Sequence, residues 1–248
     1  MPLGRDLLWK VCYYNGMVDL SKRSYQEEIM DDLSDGSQSL YQALKELDFI
    51  NKWLGGNIIT EKAVKRLLLS KPDKHWHIAD LGCGSGQMMI KLATIARKYK
   101  ITAQFYGFDA NPNVIAYARK HCNDYPEISF STENIFDDSF KSKSFDVILT
   151  TLFLHHFDEP TLVKLFKSFG QQAKHIVVND LHRHPLAYYS IKWLTALFSK
   201  SKMVKNDACL SVWRGFHKNE LIKILERAHL SNYSLSWKWA FRWKLLVH

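Results

Sequence analysis

Apolar residues recur along this chain with two different periods, and the change near residue 75 divides it. Ahead of that point Leu40, Ala43, Leu44, Leu47, Ile50 and Leu54 fall at helical spacing, which predicts a helix over Ser39–Leu54. Gly55-Gly56 stops it, and a shorter helix is expected over Glu61–Leu69. The acidic stretch Tyr25–Leu33 also reads as helical, before a turn at Asp35-Gly36-Ser37. From His75 onward, short apolar runs alternate with amphipathic ones. His77–Leu81, Thr102–Phe108, Ile128–Thr132, Phe145–Thr150 and His175–Asn179 read as strands. Gln87–Lys98, Pro112–His121 and Pro160–Phe169 read as the helices among them. Leu181–Arg214 breaks the alternation, being long, partly helical, aromatic and basic. Lys218–Ala228 reads as a helix, and Tyr233–Trp237 with Phe241–Val247 as a hairpin turning near Trp239-Ala240.

This order predicts an α/β fold with a mostly parallel, seven-stranded sheet, a C-terminal antiparallel hairpin and an N-terminal helical cap. The cap would cover residues 1–70 and the sheet domain 71–248, with 181–214 inserted after the fifth strand as a lid. Ligands of such sheets bind beyond the carboxyl ends of the strands, near the switch in strand order.

Composition narrows the class. Hydrophobic residues make up 46% of the 248, enough to build a full core and to exclude disorder across the chain. No run approaches the ~20 apolar residues of a membrane span. Met1–Tyr14 lacks the basic start, apolar run and cleavage site of a secretory signal. Cys12, Cys83, Cys122 and Cys209 show no metal or disulfide spacing, so no metal site is expected and a cytoplasmic location is. The net charge is +9, and Leu181–His248 carries all of that excess, with 12 Lys/Arg against 3 Asp/Glu. Such a field attracts nucleic acid, anionic lipid or an acidic small molecule, or is simply a solvated face.

The chemistry concentrates in four runs. Ile78-Ala79-Asp80-Leu81-Gly82-Cys83-Gly84-Ser85-Gly86 joins an expected strand to an expected helix. Its glycines permit tight turning and close approach of a ligand to the main chain, and the following helix presents free N–H groups. The spacing is GxGxG, with an acid two residues ahead, rather than the GxGxxG of dinucleotide folds. In Phe105-Tyr106-Gly107-Phe108-Asp109-Ala110-Asn111, Asp109 ends the second strand, where a carboxylate can accept from both hydroxyls of a ribose or cap the next helix. The third run is Ser131-Thr132-Glu133-Asn134-Ile135-Phe136. The fourth, Ser144–Phe157, ends the fourth strand with Thr150-Thr151-Leu152-Phe153-Leu154-His155-His156-Phe157.

Together these runs, over roughly Trp76–Asp180, resemble the class I S-adenosylmethionine-dependent methyltransferases, and the last resembles small-molecule enzymes related to the ubiquinone and menaquinone methyltransferases. The resemblance implies a Rossmann-like fold and S-adenosyl-L-methionine as cofactor, released as S-adenosyl-L-homocysteine. It implies a cofactor site of Asp80, Gly82, Cys83, Gly84, Gly86, Asp109, Ala110, Asn134, Ile135 and Thr151. Asp80 would hold the cofactor's amino group and Asp109 its ribose. Asn134, where the family often has Asp, would accept from the adenine amino group, with Ile135 packed on the ring.

Methyl transfer from a sulfonium mainly needs alignment, and an oxygen acceptor also needs its proton removed. His155, His156 and His182 are the candidate catalytic residues, with Asp180 and His184 nearby in sequence; for the His155-His156 pair a purely structural role is the alternative. The apolar, aromatic Pro185–Phe198 fits a lid over a hydrophobic or aromatic acceptor, a core helix, or a helix lying on a membrane surface. The leading expectation is an O- or C-methyltransferase acting on a small acceptor. The alternatives are an RNA methyltransferase using the basic C-terminal region, and a non-catalytic binding module. No NPPY-like run or catalytic cysteine follows the fourth strand, which lowers the base-methylating version. The oligomeric state is not legible.

Overall fold

A computed structural model of the chain describes residues 18–248. Met1–Tyr14 and Cys12, which entered the sequence reading, lie outside the described residues. Two helices, α1 (Gln38–Trp53) and α2 (Gly56–Ser70), precede the sheet. Then follow β1 (Trp76–Leu81), α3 (Gln87–Tyr99), β2 (Ala103–Asp109), α4 (Pro112–His121), β3 (Ile128–Thr132), the single turn α5 (Asp138–Lys141), β4 (Phe145–Thr151), α6 (Glu159–Gln172) and β5 (Ala173–Leu181). The chain ends with α7 (Pro185–Phe198), α8 (Lys202–Arg214), α9 (Lys218–Arg227), β6 (Tyr233–Lys238) and β7 (Arg242–Val247).

The seven strands lie in the order β3-β2-β1-β4-β5-β7-β6. The first five are parallel, and β7 runs antiparallel to both β5 and β6. Strand order reverses between β1 and β4, which opens a crevice at their carboxyl ends. This is the Rossmann-like methyltransferase fold expected from the sequence.

Side chains alternate across the sheet as the strand period requires. Ile78, Val147, Leu149 and Val177 pack with Val64, Leu68, Met89 and Leu92 of α2 and α3 on one face. Ala79, Leu81, Ile148, Ile176 and Val178 pack with Phe166, Phe169, Ile224 and Leu225 of α6 and α9 on the other. Helix α2 thus belongs to the layer that covers the sheet.

Local chemistry explains where elements depart from the pattern. Gly55, at φ 70°, turns the chain so that α2 starts at Gly56, not at Glu61. The early start is anchored from the sheet, where Asn179 Nδ2 donates to the Gly56 carbonyl at 2.8 Å. The segment Tyr25–Leu33 is not a helix. It holds only a 3-10 turn at Ile29–Asp31, because side chains from α8 take its backbone groups. Asp207 accepts from the N–H groups of Ile29 and Met30 at 2.9 and 3.0 Å, and Arg214 Nη1 donates to the Gln26 carbonyl at 3.0 Å. Helix α5 has too few residues to show a period. Leu181–Arg214 resolves into α7, α8 and their connections.

Candidate functional site

The crevice above β1 and β4 is a cleft of about 380 Å³, within the range of small-molecule sites. Asp80, Gly82, Cys83, Gly84, Asp109, Ala110, Asn134, Ile135 and Thr151 all line it. Four separate stretches of sequence therefore converge on one cavity. Gly86 does not line it; it precedes α3 and lies against Cys122 and Phe130.

The loop after β1 is shaped for a ligand. Gly84 has φ 52°, and a Cβ there would project into open space. Gly82 is required by packing, since a Cβ would come within 2.2 Å of the Phe153 ring. The Gly82 and Cys83 N–H groups donate to the Phe108 carbonyl at 2.9 and 3.1 Å, tying the loop to β2. Helix α1 closes the cleft from above with Leu40, Leu44 and Leu47, and Ser85 Oγ donates to Asp48 at 2.9 Å.

The alternative role of Asp109 as a helix cap is taken by Asn111, whose Oδ1 accepts from the Asn113 and Val114 N–H groups. Asp109 instead accepts from the Asn111 N–H at 3.0 Å and the Gly84 N–H at 3.4 Å, leaving lone pairs toward the cleft. Asn134 Oδ1 accepts from the Phe136 N–H at 3.0 Å, which fixes the amide at the cleft and uses one of its lone pairs. Thr151 Oγ1 lies 3.2 Å from Thr60 Oγ1.

Asp80 is 2% exposed, and burial together with the like charge of Asp109 pushes its carboxyl up to about 7. No basic side chain among the described residues offsets it. Burial raises Asp109 as well. Two such carboxylates around an open glycine cradle fit a cationic ligand with vicinal hydroxyls, which is the chemistry of S-adenosylmethionine.

The candidate bases fall in different places. His155 is 3% exposed, its Nδ1 donates to Asp180 Oδ1 at 2.7 Å, and its Nε2 lies 3.5 Å from Glu28. Burial alone would lower its pKa, but Asp180 and Glu28 outweigh it and hold the ring cationic, at about 9. His156 is half-buried, and its Nδ1 donates to Asp31 Oδ1 at 2.6 Å. Burial would raise Asp31, but His156 and Arg214 hold it well below the usual carboxylate range. His182 is not brought to the cleft. It packs among His184, His217 and Trp243, and burial, with smaller effects of His184, His217 and Arg183, lowers it to about 4.

Arg214 binds the His155 and His156 carbonyls at 3.3 and 2.7 Å and Asp31 at 2.7 Å, and Arg23 binds the His155 and Phe157 carbonyls. Glu28, Asp31, Arg23 and Arg214 escaped the sequence reading. Glu28 and Asp31 come from the segment read as helix, Arg23 from just ahead of it and Arg214 from the end of α8, and no spacing links any of them to the His155-His156 pair. Glu28, Asp31, Leu33, His155 and His156 form a wall shared with a second, larger cavity of about 1550 Å³. No residue of α7 lines either cavity; the 181–214 region reaches them only through Leu181, Lys200–Met203, Ser211 and Arg214.

Against this geometry stands a family match. The model of a methyltransferase domain family matches residues 72–229. The chain belongs to that family. The match spans β1 through α9, including all four runs that line the cleft, and ends before β6 and β7. No curated protein sequence matches the chain. Among solved structures, the plantazolicin methyltransferase BpumL in complex with S-adenosyl-L-homocysteine shares 20% identity at a TM-score of 0.57, over 81% of this chain and 79% of that one. The magnesium protoporphyrin IX methyltransferase of Synechocystis PCC 6803, also with bound S-adenosyl-L-homocysteine, shares 15% at 0.51, over 98% and 91%. The CurJ carbon methyltransferase shares 14% at 0.59, over 77% and 53%. This chain spans 66% of a possible exported protein from Bordetella parapertussis and 46% of the chain with the citrinin polyketide synthase CMeT domain. At these identities the likeness is one of fold.

Proposed function

We propose that the protein transfers a methyl group from S-adenosyl-L-methionine to an oxygen or carbon of a small acceptor with an aromatic or apolar body. The observation that carries this reading is the unpaired, buried Asp80 carboxylate beside Asp109 and the open Gly84 cradle. The cofactor, when bound, supplies an activated methyl group on a cationic sulfur. In this assignment Asp80 faces the amino end and Asp109 accepts from the ribose hydroxyls. Gly82, Cys83, Gly84, Ala110 and Thr151 line the chain of the cofactor. Asn134 and Ile135 take the adenine, and Gly86 sets the start of α3.

The acceptor would lie across the wall that joins the two cavities, packed on Tyr25, Leu33 and Phe157. His156 is the assigned base: Asp31 fixes its Nδ1–H, which leaves Nε2 to take a proton from the acceptor. His155 already holds its proton between Asp180 and Glu28, so it serves as a positioning residue that anchors the turn carrying His156. The second cavity is lined by Glu27, Asp32, Asp35 and Asp158, which favours a neutral or cationic acceptor over a nucleic-acid backbone.

The test follows labelled methyl groups from S-adenosyl-L-methionine into a cell extract. Label should enter an organic-soluble small molecule, and His156→Ala should lower kcat by about 10²–10⁴. Label recovered in RNA, or full turnover by a folded His156→Ala protein, would contradict the assignment.

A further inference from the structure

Helix α7 presents a face that nothing among the described residues covers. Ala187, Tyr188 and Thr195 pack inward. Leu186, Tyr189, Trp193 and Leu197 are 40–73% exposed along the opposite side, and Phe198 is 72% exposed at the helix end. Scattered apolar residues on a surface are ordinary, but four on one helix face with a fifth at its end mark an interaction site. The face continues onto the hairpin turn: His184, at the N-cap of α7, stacks on Phe241, and Phe241 contacts Trp239, itself 69% exposed.

Charge identifies the occupant. Lys192 lies within α7 and Lys200 two residues past its end. Beside Trp239, Lys62, Arg66, Lys238 and Lys244 line an adjoining groove. Glu46, at this end of α7, is engaged by Ser199 and the backbone of Lys200 and Ser201. An apolar strip bordered by cations matches an anionic lipid surface, in which side chains enter the acyl boundary and lysines meet the headgroups. A second copy of the chain would place like charges against one another. At 14 residues α7 is too short to span a bilayer, and no helix among the described residues is long and apolar enough to do so.

We propose that α7 and the Trp239 turn dock the protein on anionic membrane surfaces. Helix α7 leaves the carboxyl end of β5, the end at which the cleft opens, so docking would bring the cleft to acceptors held in the lipid. Docking is measured without turnover, so its failure is separate from failure of the methyl-transfer reading.

The experiment is co-sedimentation of the full chain with vesicles of phosphatidylcholine alone or mixed with phosphatidylglycerol. The protein should sediment with the mixed vesicles and not with the neutral ones. Trp193→Glu/Leu197→Glu should abolish binding with the fold intact by circular dichroism, since both side chains are exposed. Lys200→Glu should weaken binding about fivefold or more, the effect of one cation near a charged surface. Equal binding by wild type and the double variant would overturn the proposal. So would absence of binding to mixed vesicles, or a lipid-free dimer that the double variant splits.

Discussion

Asp80 and His155 are both buried ionisable groups with raised pKa values, but burial holds Asp80 toward its neutral form while neighbouring carboxylates hold His155 in its charged form. Asp80 has no cation, so burial and Asp109 hold it at about 7. A cationic ligand would lower that value, so binding should release a proton. Affinity for S-adenosylmethionine should therefore rise with pH up to about 7 and level off above it, as calorimetry in buffers of different ionisation enthalpy would show. The same shift acts on folding. The native state holds the proton above the ordinary carboxylate range, so stability falls as pH rises from about 4 to 7. Asp80→Asn should remove that dependence, stabilise the ligand-free protein by on the order of 1–3 kcal/mol, and lose ligand affinity. Asp109→Ala should weaken binding by about 1–3 kcal/mol through stranded hydrogen-bond partners. His155 has the same sign in a higher pH window. Its pKa is raised from 6.5 to about 9, so its contribution to stability is full below pH 6.5 and lost as pH climbs through 9. His155→Gln should destabilise the protein by about 3–5 kcal/mol by removing the cation held between Asp180 and Glu28, and should flatten that alkaline loss in thermal melts.

Element-scale order depends on side chains that reach between segments distant in sequence. The strands and the helices α3, α4 and α6 were legible because period, caps and glycines agree there: Asn111 and Asp158 cap α4 and α6, and Pro112 and Pro160 sit in their first turns. Residues 23–37 were not legible. Their acidic, helix-like composition gives way to contacts from Asp207 and Arg214, about 180 residues away, which no local pattern encodes. The residues that line the cleft were legible as a group because they end consecutive strands. The His155–Asp180, His156–Asp31 and Glu28 contacts were not, because three unconnected segments meet there. Arg214 is the tie that holds two of them. Arg214→Met should leave the His156 carbonyl without its donor, strip Asp31 and the His155 carbonyl of one donor each, and cost about 3–5 kcal/mol. Amide exchange within residues 26–33 should then speed up while β1 and β4 stay protected. Uniform exchange across the sheet would contradict that division.

Across the whole molecule, charge and chemistry occupy different places. The positive excess of Leu181–His248 does not surround the cleft: Asp80 and Asp109 line it, and the adjoining cavity carries further acids. The region read as a lid splits its roles, with α8 closing the polar wall through Arg214 and α7 turned outward. The account as a whole stands on the cleft at the β1–β4 switch holding an adenosyl sulfonium. A crystal structure of the protein with S-adenosyl-L-homocysteine measures that directly. The account predicts the ribose on Asp109, the amino group on the Asp80 side and the sulfur toward the His156 wall. Ligand bound outside this cleft, or a cleft that stays empty at saturating ligand, would contradict it.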